Sequence, residues 1–150
     1  MKVWSRIAAL YVGCAVVFLA IDLAWLGWIS VQFYQTHLGP MLREDPLLLP
    51  ALVFYLLYVG GILVFAVLPA LREGSASIAS LRGAFLGLVA YGAFDLTSHS
   101  VFHGFPVTVV VVDLLWGTVL TCSVSTAGYL LGRTLSVETS LWRNRSGELR

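Results

Sequence analysis

Apolar residues run through this chain in four long blocks, and the polar residues inside them follow no regular interval. The blocks extend from Ile7 to Ile29, from about Leu47 to Leu71, from about Ile78 to Ser98, and from Pro106 to about Leu131. About 20 apolar residues at 1.5 Å rise each are enough to cross the hydrocarbon of a bilayer, so each block predicts a spanning helix. None shows the period-two alternation of a half-buried strand. Four fully buried helices of a soluble domain would leave almost no polar surface on a chain this short. Pro50 is tolerated in the first turn of the second helix, and Pro69 marks its end. The first block follows Lys2 and Arg6 as a secretory signal would, but it is too long for one and closes on no small-residue cleavage site. It is read as a retained anchor and first span. The predicted fold is an all-α integral membrane protein, with four transmembrane helices in one bundle over residues 1–132. A short polar tail follows over residues 133–150.

Composition strengthens this picture. The chain is 59% hydrophobic and 11% charged, where soluble domains carry about a quarter charged residues. A net charge of +1 supplies no field for nucleic acid, which is set aside as a partner. Cys14 and Cys122 fall inside apolar blocks and are read as small core residues. Eight of the nine Lys and Arg residues (Lys2, Arg6, Arg72, Arg82, Arg133, Arg143, Arg145, Arg150) fall on one side of the predicted topology. Arg43 alone falls on the other. The positive-inside rule then places both termini in the cytoplasm, and the loops 30–46 and 99–105 outside. The setting this implies is a cytoplasm-facing membrane crossed several times.

The outer loop from Ser30 to Pro46 carries Phe33, Tyr34, Leu38, Met41 and Leu42, and is expected to lie partly in the headgroup layer, broken at Gly39-Pro40. Trp4, Trp25 and Trp28 read as interfacial anchors. Gly83 and Gly87, Gly128 and Gly132, and Gly60-Gly61 are small residues that let helices approach closely. They predict tight packing within one chain, with a homodimer face or a membrane partner as the alternative.

Against this apolar background three aspartates stand out: Asp22, Asp95 and Asp113. An aspartate at the centre of a membrane helix costs at least about 2.5–3.5 kcal/mol, so each should face the bundle interior. Counting along the helices puts all three in the outer half. Asp22 is seven residues before Ile29, Asp113 seven residues after Pro106, and Asp95 three residues before Ser98. Tyr55, Tyr58, Tyr91 and Thr97 reach the same layer, which contains no Lys or Arg. Three neighbouring anions without a cation repel, so protons, a cation or a metal must join them. Trp25 and Trp116 are candidate cation–π walls. Asp95, His99 and His103 fall at i, i+4 and i+8, one stripe if the third helix continues outward. Carboxylate and imidazole are ligands for a divalent metal such as zinc or iron, and His37 in the other outer loop could complete such a site. Asp22-Leu-Ala-Trp25 echoes Asp113-Leu-Leu-Trp116, and Phe18-x-Ala-x-Asp22-Leu echoes Tyr91-x-Ala-x-Asp95-Leu, the pattern an internal duplication leaves.

The segments Asp22-Leu-Ala-Trp25-Leu-Gly27, Phe54-Tyr-Leu-Leu-Tyr-Val-Gly60, Pro69-Ala-Leu71, Tyr91-Gly-Ala-Phe-Asp95-Leu-Thr97 and Asp113-Leu-Leu-Trp116-Gly117 together resemble domain of unknown function 2177, a bacterial family of small membrane proteins. The resemblance spans roughly residues 5 to 132. It implies a four-helix inner-membrane protein and no established activity. Ser98 stands where the family pattern has Asn, and His99 and His103 where it has apolar and Lys residues, so the resemblance does not imply the metal stripe.

Three functions fit these residues. The first is a small binding or transport protein whose acidic intramembrane pocket holds a proton, a cation or a cationic ligand. The second is a membrane-embedded, lipid-modifying enzyme using the aspartates and histidines as acid, base or metal ligands. The third is a structural accessory subunit whose aspartates bond helices together.

Overall fold

The computed structural model describes residues 3–137, which are helical apart from short turns. Helix α1 (Val3–Trp25) runs through a π-helical turn (Leu26–Ser30) directly into α2 (Val31–Leu38), and a 3-10 turn (Gly39–Met41) ends that rod. Helix α3 (Leu48–Ile62) passes through a second π-helical turn (Leu63–Val67) into α4 (Leu68–Glu73). Helices α5 (Ala76–Val101) and α6 (Val107–Thr134) follow. Four stretches are long and apolar enough to cross a membrane: Val3–Trp28, Leu48–Glu73, Ala76–Val101 and Val107–Thr134. These are the four predicted spans. The main differences at their ends are that the first begins earlier and the third runs on to Val101.

Local chemistry fixes the turns. Gly74 takes φ 66, a left-handed conformation that closes α4 at little steric cost, and the Ser75 hydroxyl then accepts from the Ile78 amide to open α5. Gly104 takes φ 80 in the turn joining α5 to α6, and Pro106 precedes the first residue of α6. The Arg6 guanidinium donates to the Ser136 carbonyl at 2.9 Å, which ties the start of α1 to the end of α6 at one end of the bundle. Of the predicted tail, residues 133–137 are described and Val137 is fully buried; residues 138–150 lie outside the described residues, as do Met1 and Lys2.

The bundle carries apolar side chains on both its surface and its core, which is why no helical period shows in the sequence. Val12, Val16, Leu57, Leu81, Phe85 and Val119 point outward and are exposed, as a hydrocarbon solvent permits. Inside, Leu10 and Phe18 of α1 meet Ile62 of α3, Leu71 of α4, and Leu120 and Val124 of α6, all nearly or fully buried. Helices α5 and α6 approach closest. A methyl carbon added at Gly83 would stand 2.6 Å from Ser125 Cβ and 2.7 Å from the Thr121 carbonyl oxygen. One added at Gly87 would stand 2.7 Å from the Gly117 carbonyl carbon. Gly128 is packed against Cys14 and Val67, and Gly132 against Leu71. These small-residue rows are therefore filled by the chain's own helices. Gly60 and Gly61 differ: the first meets only the Tyr11 ring at 3.9 Å and the second faces open space. They precede the π-helical turn at Leu63–Val67 and bring no backbone close. Cys14 is buried, Cys122 is half-buried, and both are free thiols.

Candidate functional site

Helices α5 and α6 form an antiparallel hairpin whose glycines allow near contact, and two acids lie across that seam. Asp95 on α5 and Asp113 on α6 line one cavity from neighbouring helices, each within reach of the other's charge. Asp95 is only 1% exposed, and its Oδ1 has no hydrogen-bond partner among the described residues. Both acids line a cavity of ≈ 450 Å³ whose other walls are Phe54 of α3 and Ala90, Tyr91 and Phe94 of α5. Phe54 and Phe94 are exposed on the bundle surface, so the cavity opens sideways toward the surrounding lipid. Gly117 shapes this wall: any side chain there would collide with the Tyr91 ring, which lies against α6 at that point.

A third group reaches the acids from outside the spans. Tyr34 of α2 donates its hydroxyl to Asp113 Oδ1. Its ring packs beside Phe105, Val109 and Val110, where α2 lies over the start of α6. Burial, then the hydrogen bond to Asp113 and the charge of that group, push the Tyr34 phenol well above its ordinary range. Tyr34 thus acts as a fixed donor. Its position depends on α1 continuing through its π-helical turn, which carries the helix eight residues beyond Ser30 and along the start of α6.

Asp22 does not join the pair. It accepts from the Tyr55 hydroxyl at 2.8 Å and does not line the acid cavity. Trp25 and Trp116 stack face to face, with centroids 4.3 Å apart and planes 12° from parallel. The stack sets these two residues level on antiparallel helices. Asp22 therefore lies three residues to one side of that level and Asp113 three residues to the other, about 9 Å apart along the bundle. The expectation of three acids at one depth rested on α1 ending at Ile29, and the longer rod shifts the register. Tyr91 sits between the two acid positions, within electrostatic reach of both Asp22 and Asp113.

The remaining expected residues divide. Tyr58 bonds to Thr121 Oγ1 at 2.7 Å in the buried core and stacks on Phe54, so it supports the cavity wall without lining it. Trp25 and Trp116 give one face each to the other, and with Val112, Leu115 and Val119 they line a separate apolar recess of ≈ 280 Å³. They are not walls of the acid cavity. Thr97 is exposed and donates back to the carbonyls of Ala93 and Phe94 in its own helix. The metal stripe is not assembled. Helix α5 ends at Val101 and Phe102 is extended, so His103 leaves the line of Asp95 and His99. His99 Nδ1 engages the Phe105 carbonyl at 2.7 Å, while His37 engages the Phe33 carbonyl at 2.9 Å and lies against the Phe33 ring. Among the described residues no three His, Cys, Asp or Glu side chains gather as a metal-holding group.

Phe54, Phe94 and Tyr34 are the site residues that sequence reasoning did not single out. Phe54 and Phe94 immediately precede Tyr55 and Asp95, but adjacent helical residues face different directions, so nothing in the pattern favoured them. Tyr34 carried a weak signal, since no proline or glycine interrupts residues 28–38.

No curated protein and no solved structure matches the chain. A family model described as "predicted membrane protein (DUF2177)" matches residues 7–130, a stretch that holds the acid pair, its aromatic walls, Tyr34 and the tryptophan stack. The chain thus belongs to the family of predicted membrane proteins called domain of unknown function 2177.

Proposed function

We propose that this protein binds a hydrophobic cation from the membrane, with Asp95 and Asp113 as its counter-ions and Phe54, Tyr91 and Phe94 as its aromatic walls. The observation that carries this reading is the orphaned Asp95 Oδ1, buried at 1% exposure on the wall of a ≈ 450 Å³ cavity. A buried acceptor without a donor costs about 1–3 kcal/mol, which an ammonium group in the cavity would recover. In the empty site the two acids hold one proton between them, because neighbouring carboxylates cannot both ionise cheaply. An arriving cation takes the place of that proton, which couples binding to proton release. Aromatic faces around the cavity add cation–π attraction of about 0.5–2 kcal/mol. The basic residues support a cytoplasmic-membrane setting with both chain ends inside. Arg6, Arg72, Arg82 and Arg133 lie at the end of the bundle where the chain begins and ends, and Arg43 lies at the other.

The test is calorimetric binding at neutral pH of n-butylammonium, a cation whose N–H groups can donate to the acids, to the protein in nanodiscs. Wild type is expected to bind, while Asp113→Asn and Asp95→Asn each weaken the probe by about tenfold or more, the loss of one charge-assisted contact of about 1.5–3 kcal/mol. Thr97→Val, which alters an exposed hydroxyl outside the cavity, should bind as wild type does. Equal affinity in all four proteins, with unchanged far-UV circular dichroism, would remove the acid pair as a binding site.

A further inference from the structure

The acid cavity has a neighbour. A second cavity of ≈ 450 Å³ lies on the other side of Phe94. Leu38, Met41 and Leu42 of the outer segment form one wall, and Phe102 and Phe105 of the α5–α6 turn form another. The two cavities share only Phe94 among their lining residues. The exposed Phe94 ring meets Phe105 edge-on at 6.3 Å and is not enclosed by other side chains, so it has room to change rotamer. Ser98 and His103 are the polar residues of its lining, and no aspartate, glutamate, lysine or arginine lines it.

We infer that the ligand is an amphipathic ammonium compound, with its charged head between Asp95 and Asp113 and its apolar chain passing Phe94 into the second cavity. This inference rests on the function proposed above. A small cation would need only the acid cavity. Two adjoining spaces, one acidic and aromatic and one mostly apolar with no acidic residue, fit a molecule divided in the same way. The wall over the second cavity is well suited to admit a chain. It is built from Leu38 at the end of α2, Met41 of the 3-10 turn and Leu42 just after it, and a methyl carbon added at Gly104 would stand 3.8 Å from Met41 Cε across the gap.

A chain-length series tests this with the protein intact in nanodiscs. n-Octylammonium is expected to bind wild type about tenfold tighter than n-butylammonium, or better, since each methylene buried from water strengthens binding about fourfold. Leu42→Trp fills the second cavity from the outer segment and should abolish most of that gain, leaving the butyl probe unchanged. Met41→Trp provides the same obstruction if Leu42→Trp does not fold. Retention of the full octyl gain in a folded, obstructed variant, with butyl binding still dependent on Asp95, overturns this inference and leaves the proposed function standing. That result would place the chain in the surrounding lipid, reached through the sideways opening. Butyl binding that is absent, or indifferent to Asp95→Asn, overturns both.

Discussion

Replacing Gly87 with alanine tests whether the acid pair depends on the close approach of α5 and α6. The new methyl carbon would lie 2.7 Å from the Gly117 carbonyl carbon and 2.8 Å from Thr121 Oγ1, against an ordinary contact distance of 3.4 Å or more. Subtracting the first distance from 3.4 Å leaves at least ~0.7 Å by which the helices must part locally. The main obstacle is main chain on a neighbouring helix, so no rotamer change relieves it. A gap of about 0.5–1 Å forfeits a quarter to a half of the dispersion attraction between facing atoms. Overpacking of this sort costs about 1–3 kcal/mol, and we expect about 2–3 because a backbone cannot yield as a side chain does. Gly61→Ala makes the same chemical change in open space and should stay within about 1 kcal/mol of wild type. Denaturant unfolding in mixed micelles, followed by far-UV circular dichroism, measures stability, and n-butylammonium affinity in nanodiscs reports on the acid pair. Gly87→Ala should lose in both and Gly61→Ala in neither. A Gly87→Ala protein as stable as Gly61→Ala would refute the idea that glycine sets the helix spacing. A destabilised protein with undiminished affinity would break the link between that spacing and the acids.

Two further outcomes are expected. Tyr55→Phe leaves Asp22 without its donor and should cost about 0.6–1.7 kcal/mol, the range for hydrogen bonds between membrane helices. In a double-mutant cycle with Asp22→Asn the two losses should not add, and full additivity would show that the pair does not interact. Trp25 and Trp116, stacked at 4.3 Å, should give an exciton couplet in circular dichroism that vanishes in either Trp25→Leu or Trp116→Leu. A couplet surviving either change would mean that the rings do not stack.

The four spans were legible because hydrocarbon thickness imposes a length, and 59% hydrophobic content leaves little else to form. The acids were legible as anomalies for the same reason. Their partners were legible only in part: Tyr55, which bonds Asp22, was among the expected residues and Tyr34 was not, because depth was counted from presumed helix ends. One extension, α1 running on through a π-helical turn to Leu38, shifted Asp22 out of the group and brought Tyr34 in. The histidine stripe failed at the opposite kind of boundary: α5 stops at Val101, one turn beyond Ser98 but short of His103. The echo between Asp22-Leu-Ala-Trp25 and Asp113-Leu-Leu-Trp116 corresponds to a real symmetry of placement. Its two tryptophans face each other and each of its aspartates takes a tyrosine hydroxyl, from Tyr55 and Tyr34. A one-dimensional motif can show that two segments are alike, but not that they meet.

The partners of the three acids also bear on how the protein is made. Asp22 finds its donor on the second span, and Asp95 and Asp113 come within reach of each other on the third and fourth. Each acid therefore has its contact on a neighbouring span or on a segment already made, since Tyr34, the donor to Asp113, precedes the fourth span in the chain. No carboxyl group has to wait in hydrocarbon for a distant segment to be synthesised. The meeting of the first helix with the last, where the tryptophans stack, can then come late, as the closing of a bundle whose halves are already fit to remain in the bilayer.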